Sequence, residues 1–231
     1  MAHSVNMRTF HSWNVNEKEA VAIQEQFKSE VVLERTFQDL KTIAGADVAY
    51  SKDGKHLSGA ISVLSFPGME ILSSATSTAE ISFPYIPGLL SFREGPVLLE
   101  AYAKLKAEPD LIVFDGHGIA HPRRFGLASH LGVWLDLPSI GCAKTPLLNG
   151  VILPGSRKGD FKTVRRGMEE SGAVLRTRKD VNPVFVSPGH RIDLPSSIKI
   201  ILQCCPKFRI PEPLRAAHHL AEAKIRNPLT R

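Results

Sequence analysis

Residues 111–116 read LIVFDG, four apolar residues in a row closed by an aspartate and a glycine. A run this short and unbroken is the pattern of a strand buried on both faces, which needs helices above and below it. The flanks supply them. Ser91–Pro96 begins a helix whose body is VLLEAYAKLKAE (97–108), and FGLASHLGVWLD (125–136) is a second helix. PSIGCAK (138–144) is the next strand, so helix, strand, helix and strand alternate and the strands are expected to run parallel.

Upstream the pattern differs. TIAGADVAYS (42–51), LSGAISVLSF (57–66) and MEILSSATSTA (69–79) read as strands joined by the turns KDGK and PG, which makes an antiparallel meander. Residues 14–36 read as a helix with Val21, Phe27 and Val31 on its apolar stripe. Two short strands are expected within 173–187, and helices over 194–205 and 211–226. The expected class is therefore α/β: a mixed sheet, antiparallel meander first and parallel strands after, flanked by helices. No repeat, low-complexity tract or linker divides the chain, so 1–231 is read as a single domain, its first dozen residues flexible.

Composition bounds the function. Hydrophobic residues at 43% and charged residues at 23% are ordinary globular values and rule out wholesale disorder. No apolar run is long enough to cross a membrane, and MAHSVNMRTFHSW lacks the basic region and apolar core of a signal peptide. Cys142, Cys204 and Cys205 form no CxxC pair, so a cysteine zinc site is disfavoured and reduced thiols in the cytoplasm are expected. The net charge of +6 points weakly to a polyanionic partner.

Three acids stand out. Asp47 lies inside a strand of small apolar residues, and if Gly45, Asp47 and Ala49 share a face its carboxylate projects from the sheet. The competing reading is a strand-edge Asp bonded to a turn. Asp115 ends the apolar strand before GHG, at the carboxyl end where ligand sites of parallel sheets lie, although it also suits a turn or helix cap. Glu94 has capping-box spacing from Ser91, with Pro96 placed to begin a helix, so a structural role competes there too. No HExxH pair or GxSxG nucleophile setting is present. Two aspartates on neighbouring strands plus a glutamate are hard oxygen ligands for Mg²⁺ or Mn²⁺, and such a cluster in a basic protein suits a nuclease.

TIAGADVAY, FPYIPGLLSFREGPVLLEAY, DLIVFDGHGIAHPRRFGLASHLGV and IGCAKTPL, in this order and spacing, resemble the endonuclease V family of deoxyinosine-specific repair nucleases. The resemblance runs from about residue 15 to 226 and implies a ribonuclease H-like fold. It implies Asp47, Glu94 and Asp115 as metal ligands, with Mg²⁺ as cofactor and Mn²⁺ able to substitute. It implies Lys144 as a catalytic lysine and His218, beside His219, as a histidine near the site. Tyr85, in PYIP, falls on the family's wedge, and Gly88, Leu90, Gly116, Gly118, Leu127, Gly141 and Leu147 fall on its pocket for the flipped base. Glycines there permit close approach, and backbone groups can read a base edge. His117 departs from the pattern and receives no role.

By position beside the DGHG strand end, Arg123 and Arg124 are candidate phosphate contacts, with His121 grouped as a substrate contact. Residues 156–179 carry eight Lys or Arg against three acids, a second phosphate-binding candidate or simply a solvated face. The resulting expectation is a cytoplasmic, monomeric, Mg²⁺-dependent endonuclease in DNA repair. It would cut the second phosphodiester bond 3′ to deoxyinosine and leave 3′-hydroxyl and 5′-phosphate ends. The alternatives are an endoribonuclease acting mainly on inosine-containing RNA, and an inosine-binding protein that does not cut. Intact acids and Lys144 weigh against the last.

Overall fold

The computed structural model describes residues 10–226. Its centre is one eight-stranded sheet in the order β3-β2-β1-β4-β5-β8-β7-β6. The meander is β1 (Thr42–Tyr50), β2 (His56–Ser65) and β3 (Ile71–Glu80), with antiparallel neighbours. Beside β1 lie β4 (Leu111–Phe114) and β5 (Ser139–Ala143), both parallel to it. This is the mixed sheet expected. It extends further than expected, however. Three antiparallel strands, β6 (Phe161–Arg166), β7 (Glu169–Leu175) and β8 (Val184–His190), complete it where two were read. The missed strand is β6, the sheet edge, four of whose six residues are exposed. An edge strand wet on both faces carries no apolar alternation to announce it. The basic stretch is thus largely the β6–β7 hairpin.

Helices cover both faces. Against one, α2 (Leu90–Tyr102) and α3 (Leu127–Leu135) pack Leu98, Tyr102, Leu131 and Trp134 onto Ala44, Ala46, Ile112 and Phe114. Against the other, α4 (Leu194–Gln203) and α5 (Glu212–Arg226) bring Ile198, Ile201 and Leu214 onto Ile43, Leu111, Val113 and Ile140. β4 is sealed from both sides, as its sequence required.

α1 (Glu17–Phe27) is shorter than the expected 14–36. Asn16 and Glu19 form a reciprocal capping box at its start. A short 3₁₀ turn (Lys28–Glu30) follows, and beyond it the backbone is captured elsewhere. Arg191 N–H donates to Val32 O at 2.7 Å and Thr36 N–H to Arg191 O at 3.3 Å. Of the first dozen residues expected to be flexible, 1–9 lie outside the described residues. Phe10 and His11 are packed: Phe10 meets Trp134 edge-on at 5.7 Å, and a His11 ring nitrogen lies 2.7 Å from one of His130.

α2 also differs. It starts at Leu90 and ends at Tyr102, so Pro96 lies inside it rather than in its first turn. The capping box suggested by Ser91 and Glu94 does not form. Ser91 Oγ meets His130 Nδ1 at 2.9 Å, while Glu94 turns to Tyr50.

Candidate active site

β1 alternates strictly. Ala44, Ala46 and Val48 face α2 and α3, so Gly45, Asp47 and Ala49 face α5. Small residues on that face let the helix lie directly on the strand. A Cβ at Gly45 would stand 2.1 Å from the carbonyl of Pro213. The close approach sets His218 of α5 against Asp47, and its Nδ1–H donates to Asp47 Oδ2 at 2.7 Å. Val48 N–H donates to the other carboxylate oxygen at 2.9 Å.

Asp115 follows from strand register. Ala46 pairs with Phe114 in the parallel β1–β4 ladder, and Asp115 N–H donates to Ala46 O at 3.1 Å. The residues one step on, Asp47 and Asp115, are therefore neighbours. Lys144, immediately after β5, pairs through Nζ with Asp115 Oδ2. Burial works against the lysine's charge, but Asp115 and then Asp47 outweigh it and raise its pKa.

Glu94 comes from the other face. It is buried in α2, and Tyr50 Oη donates to its Oε1 at 2.6 Å. Tyr50 is three residues beyond Asp47 and so on the α2 face of β1. Its ring also faces the Arg93 guanidinium at 5.1 Å. Burial, then Asp47 and Asp115, push the Glu94 carboxyl up to about 8, although the Tyr50 bond opposes the shift. Burial and the Asp115 charge likewise raise Asp47, against Lys144, His218 and Val48.

All three acids line one cavity of about 410 Å³, together with Tyr85, Gly88, Leu90, Gly116, His117, His121, Leu127, Lys144, Leu147 and His218. Two expected wall residues are elsewhere. A Cβ at Gly118 would stand 1.9 Å from Pro188 O, and one at Gly141 2.5 Å from Gly118 N. These glycines let the loop after β4 lie flat on β5 and β8. Tyr85 is 69% exposed at the cavity's rim.

Arg123 and His121, expected to meet substrate, are engaged inside the fold. Gly88 O accepts three hydrogen bonds, each 2.9 Å, from Gln24 Nε2, His121 Nε2 and Arg123 Nη2. His121 Nδ1 accepts from Arg123 N–H, which fixes the neutral tautomer, and burial lowers its pKa to about 4. Arg124 pairs with Glu169 at the foot of β7. His117 Nε2 donates to Thr145 O at 3.1 Å, and burial lowers its pKa to about 4. His219 is on α5 beside His218, whose ring is the one against Asp47.

Sequence reasoning missed Gln24, Tyr50 and Arg209. Arg209 Nη2 donates to Lys144 O at 3.2 Å and to Pro183 O at 2.9 Å, which steadies the end of β5. Tyr50 closes the strand that carries Asp47, the one local signal that pointed to it. Gln24 and Arg209 had none.

The donor set suits a divalent cation. Three hard carboxylates share one cavity, and burial, then their mutual repulsion, raises two of them, which a cation would relieve. Among the described residues no three His, Cys, Asp or Glu side chains already form a closed cage. Asp47 and Asp115 are drawn instead toward His218 and Lys144.

The endonuclease V family model matches residues 25–219. Endonuclease V of Dictyoglomus turgidum is 49% identical over 211 residues, 91% of each chain. The crystal structure of endonuclease V from Streptomyces avermitilis superposes with a TM-score of 0.89 at 42% identity, over 95% of this chain and 97% of that one. That of Ciona intestinalis endonuclease V, in complex with a 24mer DNA containing an inosine followed by a ribo-adenosine, gives 0.82 at 29% identity, over 91% and 98%. Aspartates on β1 and just past the end of the parallel β4, a buried glutamate opposite them and a family match over residues 25–219 place this chain in the endonuclease V family.

Proposed function

We propose that this chain is a Mg²⁺-dependent DNA repair endonuclease that recognises deoxyinosine and hydrolyses the second phosphodiester bond 3′ to it. The observation that carries the reading is that the acids and the glycine-bordered cavity are one continuous space, so a base held there sits beside hydrolytic groups. The Ciona relative's inosine-containing DNA supports the same substrate.

Asp47 and Asp115 would hold the main cation, Mg²⁺ or in its place Mn²⁺, with Glu94 completing the acidic site. When bound, the cation supplies positive charge against the phosphate and makes water a stronger nucleophile. Lys144 holds Asp115 in place and presents a charge that stabilises the phosphate as negative charge builds on it. His218 orients Asp47 through its Nδ1–H, and Tyr50 orients Glu94 through its hydroxyl. The clamp on Gly88 O keeps the Tyr85–Gly88 loop at the cavity mouth, where Tyr85 would fill the gap left by the extruded base.

The protein is proposed to act as a cytoplasmic monomer. Its three cysteines are buried free thiols, and among the described residues no helix is long and apolar enough to cross a membrane. The test is a side-by-side assay on oligonucleotides carrying deoxyinosine, deoxyadenosine or riboinosine, with and without Mg²⁺. Cleavage of deoxyinosine DNA one nucleotide beyond the lesion, dependent on the cation, is the expected result. Preference for riboinosine would move the substrate to RNA, and binding without cleavage would remove the enzyme.

A further inference from the structure

A second cavity, of about 430 Å³, meets the first at the acids and shares Asp47, Asp115, Lys144 and His218 with it. Beyond those residues its wall carries Arg178, Phe208, Arg215 and His219, and its only acids are the two aspartates. The Arg215 guanidinium lies 3.3 Å from the centre of the Phe208 ring, and Lys207 Nζ lies 5.6 Å from it. Arg215 Nη1 also contacts Glu212 Oε1, at 3.4 Å. The connection between α4 and α5 that carries Phe208 is tied down on both sides. Thr177 Oγ1 donates to Arg209 O at 2.6 Å, and Arg209 reaches the backbone of Lys144 and Pro183. The aromatic–guanidinium pair is therefore a held platform, flanked by cations and open to the acids.

We propose that this second cavity is the subsite for the DNA strand on the 3′ side of the cut bond. A base there stacks on the Phe208–Arg215 platform, and Arg178 takes a downstream phosphate. Aromatic and guanidinium planes accept any base, and cations track the backbone, so the subsite is indifferent to sequence. The inference rests on the proposed function for its polarity. If the lesion base fills the first cavity and the cut lies 3′ of it, a strand passing the acids enters the second. Selectivity for inosine then resides in one cavity, and grip on the leaving strand in the other.

Two measurements test this, using the full chain and the variants Phe208→Ala and Arg178→Ala, both at exposed positions. The first is kcat/KM on single-stranded deoxyinosine oligonucleotides that differ only in the number of nucleotides 3′ of the cut. Lengthening that side from one to four nucleotides should raise the unmodified enzyme's efficiency by about 5-fold or more, the low end of one stacked base, and the gain should fall below about 2-fold in Phe208→Ala. The second is the affinity, with Mg²⁺ present, for a 5′-phosphorylated tetranucleotide that contains no inosine. Both variants should bind it at least about 3-fold more weakly. Equal tetranucleotide affinity in all three proteins, or a length gain unchanged by the variants, overturns the subsite. Failure of the inosine reading registers separately, as equal cutting of deoxyinosine and deoxyadenosine strands while the tetranucleotide difference persists.

Discussion

His218 and Asp47 are 171 residues apart in sequence and 2.7 Å apart in space, joined by an Nδ1–H to Oδ2 hydrogen bond. The contact exists because Gly45, two residues before Asp47, lets α5 rest on β1. His218→Ala should therefore slow single-turnover cleavage by about two orders of magnitude, the scale of a lost proton-handling or orienting group, with the melting temperature nearly unchanged. Gly45→Val should lose both, because its side chain would drive the helix away. Full activity in His218→Ala would show that Asp47 needs no orienting partner.

Asp115→Asn keeps the shape of the side chain and removes the charge that Lys144 and a cation would share. Cleavage should fall below detection while circular dichroism stays native, and Asp47→Asn should behave alike. Mg²⁺-dependent cutting at the normal rate by either variant would sink the assignment of the site.

Glu94 offers a test without substrate. Its carboxyl titrates at about 8 in the folded chain against 4.5 ordinarily, chiefly through burial. Between those values the folded, metal-free protein keeps a proton that the unfolded chain has released. The folded pKa is the higher one, so this contribution to stability is complete below about 4.5 and is lost as pH rises through about 8. The slope is about 1.4 kcal/mol per pH unit. Denaturant melts of Glu94→Gln should lack that slope, because Gln does not titrate yet still accepts the Tyr50 bond. The same variant should lose at least about two orders of magnitude in cleavage rate. Parallel pH profiles for the two proteins would contradict the burial of this acid.

Tyr85→Ala should weaken recognition more than chemistry. Stacking on an aromatic is worth about 1–3 kcal/mol per base, or roughly 5- to 150-fold in affinity. The loss should be largest on duplex deoxyinosine DNA and smaller on single strands, with most of the single-turnover rate restored at saturating enzyme. An equal loss on both substrates is the outcome that removes the wedge.

Arg123 now has a different expected phenotype from a phosphate contact. With His121 and Gln24 it holds Gly88 O, so Gln24→Ala or Arg123→Ala should loosen the pocket rim. Each loss should cost about 1–3 kcal/mol of stability, the range for stranding a buried polar partner. KM for deoxyinosine DNA should rise without a matching loss of affinity for plain DNA. A uniform loss on both DNAs, at unchanged stability, would restore the phosphate role.

The sequence by itself determined the layered fold through the apolar run of β4 and the small-residue alternation of β1, because burial of a strand is written in its own residues. It also located Asp47 and Asp115, since strand ends and strand faces follow from local periodicity, whereas Lys144 stood out only through the family resemblance. Tertiary structure decided the rest. Edge strand β6, wet on both faces, has no pattern to read. Glu94 gave a capping-box signal that was locally sound, yet Tyr50, 44 residues away, claims its carboxyl, and Ser91 bonds His130 instead. His121 and Arg123 read as substrate contacts and Gln24 carried no signal, yet packing sets all three on the single carbonyl of Gly88. Hydrogen bonds between residues tens of positions apart depend on how helices settle against the sheet, and no local pattern in the chain encodes that distance.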